Sequence, residues 1–147
     1  MKMRKETAVG IFVLVGLVAV AYMSIQLGNV QLFSDKYYLL KANFTDVSGL
    51  KPNAPVQMYG VKMGYVSAIE LDQEQGVARV LMMIDKEVEL TDDAIASIKT
   101  SGLIGDKFIK ITPGGVGDPV HPGDSLFETE PAIDLEDLIS KFAFGKV

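Results

Sequence analysis

Apolar residues along this chain follow three rhythms. From Thr7 to Ile25 they run almost unbroken, with Val9, Ile11, Phe12, Val13, Leu14, Val15, Leu17, Val18 and Val20 and no charge among them. As a helix this run spans roughly 28 Å, close to the hydrocarbon core of a bilayer. From Tyr37 onward the period is two, the mark of strands. At the end, Leu135, Leu138, Ile139 and Phe142 recur at i, i+3, i+4 and i+7, which predicts a one-sided helix of three turns. Asp134, Glu136 and Asp137 lie in its first turn, where the helix dipole favours acids, and Gly145 ends it.

Within the period-two region, Tyr38, Leu40, Ala42 and Phe44 alternate with Tyr37, Leu39, Lys41 and Asn43. Thr45 to Asn53 punctuates with Asp46, Ser48, Gly49 and Pro52. Pro55 to Tyr59 predicts a short strand closed by Gly60, and Val61 to Leu71 another, with Gly64 as a bulge or bend. Asp72 to Gly76 has the composition of a hairpin connection. In Val77 to Ile84 both faces are mostly apolar, so this strand is expected to be buried on both sides or to lie against a neighbour. Ser125 to Thr129 is expected to close the sheet. Short strands at intervals of about 8–12 residues, parted by Gly and Pro, predict a mainly β fold, a small barrel or sandwich.

One connection breaks the rule that turns are polar. Ala96, Ile98 and Thr100 alternate with Ser97, Lys99 and Ser101, and Lys107, Ile109 and Ile111 alternate with Phe108, Lys110 and Thr112. Between these strands lie Gly102 and Gly105, expected at positions of positive φ, and they enclose Leu103 and Ile104. A hairpin tip facing water carries Asn, Asp, Gly or Ser. Three readings are open: the pair folds back into its own core, meets another subunit, or lines an apolar site for lipid or membrane. The terminal helix leaves a similar choice between packing on its own barrel and packing on symmetry mates.

Composition narrows the function. The hydrophobic fraction of 48% is average for a globular protein, so the apolar N-terminal run is a local concentration. Net charge is −5, but its distribution is uneven: Lys2, Arg4 and Lys5 oppose Glu6 at the start, while the remainder carries 18 acidic against 11 basic side chains. An acidic body does not suit a nucleic-acid backbone, nor a position flat on an anionic bilayer. The basic start places the N-terminus in the cytoplasm and the body across the membrane, with Tyr22 as an interfacial aromatic. Ala19-Val20-Ala21 resembles a signal-peptide cleavage site, but the apolar run continues through Tyr22, Met23 and Ile25, which favours an uncleaved anchor. Both readings export the body.

The chain has no Cys and a single His, which removes disulfides, thiolate nucleophiles and multi-His metal sites. His121 reads as a surface loop residue. Asp92-Asp93 reads as the cap of a turn before Ile95. The glycine-rich run Pro113 to Pro119 lacks the Gly-Lys-Ser/Thr of a phosphate-cradling loop, and no G-x-S-x-G elbow occurs. No enzyme, cofactor or metal is expected. The organisation expected is an anchor over 1–27, a linker over 28–34, a β domain over 35–130 and a helical end over 131–147.

Several stretches together carry a resemblance. They are Val9-Gly10-Ile11-Phe12 opening the anchor, Phe44-Thr45-Asp46-Val47-Ser48-Gly49-Leu50-Lys51, Pro55-Val56, and Gly60-Val61-Lys62-Met63-Gly64-Tyr65-Val66. To these are added Thr100-Ser101-Gly102-Leu103-Ile104-Gly105-Asp106-Lys107-Phe108 and Leu135-Glu136-Asp137-Leu138-Ile139. From Met1 to Gly145 the chain resembles the MCE-domain family, in its MlaD-type branch.

The resemblance implies a seven-stranded β-barrel, with an N-terminal transmembrane helix and a C-terminal amphipathic helix, assembling as a homohexameric ring on the inner membrane. It implies that Leu103 and Ile104, between the hinges Gly102 and Gly105, line an apolar central pore for phospholipid. Leu138, Ile139 and Phe142 would extend that channel. The implied partners are a permease, a cytoplasmic ATPase with a small regulatory subunit, and a soluble periplasmic lipid carrier. A membrane-fusion adaptor of an efflux or secretion complex is the alternative, although the sustained heptads of its coiled-coil hairpin are missing from this sequence.

Overall fold

The computed structural model describes residues 4–27 and 36–145. The expected linker over 28–34 and the charge of Lys2 lie outside the described residues. The chain divides into two units, Met1–Ser34 and Asp35–Val147.

In the first unit a single helix, α1 (Lys5–Leu27), takes up the whole apolar run. Its 23 residues extend about 34 Å at roughly 1.5 Å per residue, enough to cross a bilayer's hydrocarbon core. Apolar side chains point outward on every side and none described is buried within the unit. A helix greasy all round has its natural solvent in lipid.

The second unit is one sheet. Its strands are β1 (Tyr37–Phe44), β2 (Pro55–Met58), β3 (Val61–Asp72), β4 (Val77–Asp85), β5 (Ile95–Thr100), β6 (Lys107–Thr112), β7 (Ser125–Leu126) and β8 (Glu128–Glu130), followed by helix α2 (Leu135–Ala143). The order across the sheet is β7-β1-β4-β3-β2-β6-β5-β8. Seven strands were expected and eight are found, because the last strand breaks in two at Phe127. The break closes the barrel: β7 pairs in parallel with β1 through Lys41↔Ser125 and Ala42↔Leu126, and β8 pairs in parallel with β5 from Ile95↔Glu128 to Ser97↔Glu130. Lys41 N–H donates to the Asp124 carbonyl at 2.9 Å, and the Thr129 hydroxyl donates to the Asn43 carbonyl at 2.7 Å, binding both halves to β1. The expected closing segment, Ser125 to Thr129, is the one that performs this.

Alternation decides which side chains enter. Leu40, Ala42 and Phe44 of β1 meet Val80, Met82 and Ile84 of β4, with Val56, Val66, Ile98, Ile109 and Ile111 completing a buried core. On the outer face of β4, Leu81 and Met83 are half-buried rather than enclosed, so the expected two-sided burial is only one-sided within the protomer.

Two bulges shape β3, one of them against β4, where Ser67 is the extra residue between the pairs Val66↔Met82 and Ala68↔Leu81. Gly64 pairs with Val56 while Lys62 pairs with Gln57, so Met63 is the extra residue of a bulge and both Met63 and Gly64 turn inward. The expectation of a bulge or bend at Gly64 is thus met one residue earlier. Glycine is required for another reason: a Cβ there would overlap the carbonyl oxygen of Met83 on the neighbouring strand. The β3–β4 connection is set by Asp72. Its carboxylate accepts the amides of Glu74 and Gln75 at 3.1 Å and a guanidinium N–H of Arg79 at 2.6 Å.

Gly64→Ala is therefore expected to cost about 1–3 kcal/mol, the range for forcing extra atoms into a packed site. Urea denaturation of the purified chain should show an earlier midpoint, whereas Gly115→Ala, with open space around the position of its Cβ and no positive φ, should leave the midpoint nearly unchanged.

Candidate functional site

The apolar connection begins where β5 and β6 part, at the pair Thr100↔Lys107. Ser101 N–H donates to the Asp106 carbonyl at 3.0 Å, closing the loop at its neck. Gly102 takes a φ of 71°, the left-handed region that glycine enters without strain. Gly105 was expected to do the same, but it does not. Its requirement is steric: a Cβ there would overlap the Ser101 carbonyl oxygen. The two glycines therefore let the neck pinch, and the tip is pushed outward.

At that tip Leu103 is 79% exposed and Ile104 97% exposed. The reading in which the pair folds back into its own core is overturned. The core is closed without them.

The second apolar element stands beside the loop. The nine residues of α2 bury none of their side chains, so its stripe of Leu135, Leu138, Ile139 and Phe142 is not covered by the protomer's own barrel. Phe142 is 93% exposed. The helix starts at Asp134, an extended N-cap residue whose carboxylate makes no capping bond. That carboxylate instead accepts from Nζ of Lys107 at 2.5 Å, and the same ammonium donates to the Ile133 carbonyl at 3.2 Å. Lys107 is the first residue after the loop, and its side chain is only 11% exposed. One partly buried cation thus fastens the root of α2 to the root of the loop.

The sequence reading missed this tie. Lys107 read only as an alternating strand position on the face of Ile109 and Ile111, and Asp134 as a dipole partner, and nothing in their 27-residue separation connects them. Ile133 was also missed, although a signal existed: an apolar residue just before the N-cap and Leu138 four positions into the helix have the spacing of a hydrophobic staple.

His121 is exposed and lies 3.6 Å from Asp124. No group of acids and histidine suited to a metal occurs among the described residues. Asp92 and Asp93 lie in the turn expected before Ile95, closed by the Ala94 N–H on the Thr91 carbonyl at 3.0 Å, and their carboxylates also hold the glycine-rich loop. Asp93 accepts the amides of Gly115 and Val116 at 2.9 and 3.0 Å, and Asp92 accepts the amide of Asp118 at 3.0 Å. The Thr91 hydroxyl, with the Val116 and Gly115 amides, holds the Asp93 carboxyl down at about 2.

Comparison with known proteins gives these features a context. A family model described as MlaD protein matches residues 36–114. The intermembrane phospholipid transport system binding protein MlaD of Haemophilus influenzae is 38% identical over 145 aligned residues, covering 95% of this chain and 87% of the relative. The protein of the same name from Escherichia coli strain K12 is 34% identical over 150 aligned residues, covering 97% and 81%. Among solved structures, a chain of the Acinetobacter MlaFEDB complex in its ATP-bound Vtrans1 conformation matches with a TM-score of 0.73 at 29% identity. The match covers 96% of this chain and 100% of that one.

Acidification tests the hold on the glycine-rich loop. The folded Asp93 carboxyl titrates below its ordinary value of 3.8, so its stabilising contribution is complete above that pH and lost as pH falls through about 2. The amide proton shifts of Gly115 and Val116 should titrate with a midpoint near the lower value, and Asp93→Asn should abolish that titration.

Proposed function

Because the chain belongs to the MlaD family of MCE-domain proteins, we propose that it is the lipid-binding subunit of an intermembrane phospholipid transport system, held in the inner membrane by α1. In this reading several copies, six by the family resemblance, form a ring in the periplasm, with their N-termini in the cytoplasm. Leu103 and Ile104 converge on its axis as an apolar throat, and Leu138, Ile139 and Phe142 of α2 extend the channel. The observation that carries this is the exposure of Leu103 and Ile104, at 79% and 97%, on a loop whose neck is closed by a hydrogen bond.

The energetics support a conduit. Burying each aliphatic side chain is worth roughly 1.5–3 kcal/mol, a gain that the isolated protomer forgoes. A lipid tail brings the complementary need, at about 0.8 kcal/mol per buried CH₂. A dry throat lowers the barrier for tails to pass without any covalent step, so the chain itself performs no catalysis. Directional movement then draws on an ATPase partner, acting with a permease and a small regulatory subunit; the ATP-bound state named for the structural neighbour supports this. A soluble lipid carrier in the periplasm completes the route.

The double variant Leu103→Asn with Ile104→Asn tests the throat. Both residues lie outside the core, so the barrel should stay folded and assembled while lipid photocrosslinking to the loop disappears. Undiminished crosslinking would refute the assignment.

A further inference from the structure

Beside the loop tip lies a cleft that belongs to a single protomer. It encloses about 580 Å³ between the loop and the first turn of α2, within the range of roughly 300–1,000 Å³ typical of ligand pockets. Leu103 and Ile104 form one wall, and Ile133, Leu135 and Leu138 form the other. Lys107 also lines it. Ile139 and Phe142 do not, so the helix stripe divides: its first half faces the cleft and its second half is free for other contacts.

The charges of the cleft select among ligands. The ammonium of Lys107 is already engaged by the Asp134 carboxylate and the Ile133 carbonyl. Among the described residues no other cation lines the cavity, while Glu136 adds a negative charge. A phosphate group would meet net repulsion there. An uncharged hydrocarbon chain would meet five aliphatic side chains.

We propose that this cleft holds one acyl tail of a phospholipid in each protomer, beside the ring axis rather than on it. The proposal rests on the lipid-conduit reading and adds Ile133 and Leu135 to the lipid-contacting surface. The Lys107–Asp134 pair is its framework, since it sets the spacing between the two walls. A phospholipid could then keep its head group in the wetter part of the channel while one tail rests sideways.

The test places a photoreactive amino acid at Leu135, at Leu103 or at Val116 in the full chain, co-expressed with its transporter partners in cells fed radiolabelled phosphate. Val116 is a control, 97% exposed at the tip of the glycine-rich loop. Labelled phospholipid should attach at Leu135 and Leu103 and not at Val116. Mild alkaline hydrolysis of the ester bonds should strip the radiolabel from the Leu135 adduct, because attachment is through a tail. Ile133→Asp, a change at a residue 59% exposed, should remove the label at Leu135 and leave that at Leu103. Label at Leu103 with none at Leu135 would overturn the cleft and leave the throat standing. Absence at both positions would overturn both. A Leu135 adduct that keeps its radiolabel after hydrolysis, or survives Ile133→Asp, would also overturn the tail site.

Discussion

Closure of the barrel by one broken strand is the constraint on which the rest depends. The segment from Ser125 to Glu130 pairs with β1 through its first half and with β5 through its second, and Phe127 between them is turned outward. Once it is in place the two ends of the sheet are joined through one segment, and the interior is filled by Leu40, Phe44, Met82, Ile84, Ile109, Ile111 and their neighbours. A close-packed interior has no room for two further aliphatic side chains. Leu103 and Ile104 must stay outside, and so must the stripe of α2.

That exclusion turns a stability problem into a binding surface. Exposed aliphatic residues scattered singly are ordinary, but here two elements present them side by side and are tied at their roots by Lys107. The tie matters because a greasy loop free to move would fold back on any apolar surface nearby. Held by its pinched neck and by the start of α2, it remains displayed. In the proposed ring, repeating that display around an axis makes a throat, and α1 places the assembly where lipid is at hand.

Much of this was legible in the sequence, for identifiable reasons. The apolar run of α1, the period-two strands and the stripe of α2 depend only on local spacing, and the chain shows them openly. Leu103 and Ile104 stood out because a hairpin tip has a strong polar expectation to violate. What stayed hidden depends on contacts between distant residues. The split of the last strand at Phe127 follows from the two neighbours it must satisfy, which no local pattern encodes. Lys107 and Asp134 look like ordinary surface charges until the fold brings them together. Asp92 and Asp93 showed their local turn, but not their further partners in the glycine-rich loop more than twenty positions on. Gly105 was read for its backbone freedom, but its role is to leave space beside the Ser101 carbonyl.

Convergence of the loops can be measured directly, because the native chain contains no cysteine. Ile104→Cys introduces one thiol per protomer at the outermost point of the tip. A disulfide requires Cβ atoms within about 3.5–4.5 Å, so oxidation reports only on tips that meet. If the tips from neighbouring copies gather on a common axis, mild oxidation of the membrane-embedded assembly yields a covalent dimer on a non-reducing gel, and Val116→Cys yields none. A persistent monomer band for Ile104→Cys under the same conditions would contradict the account.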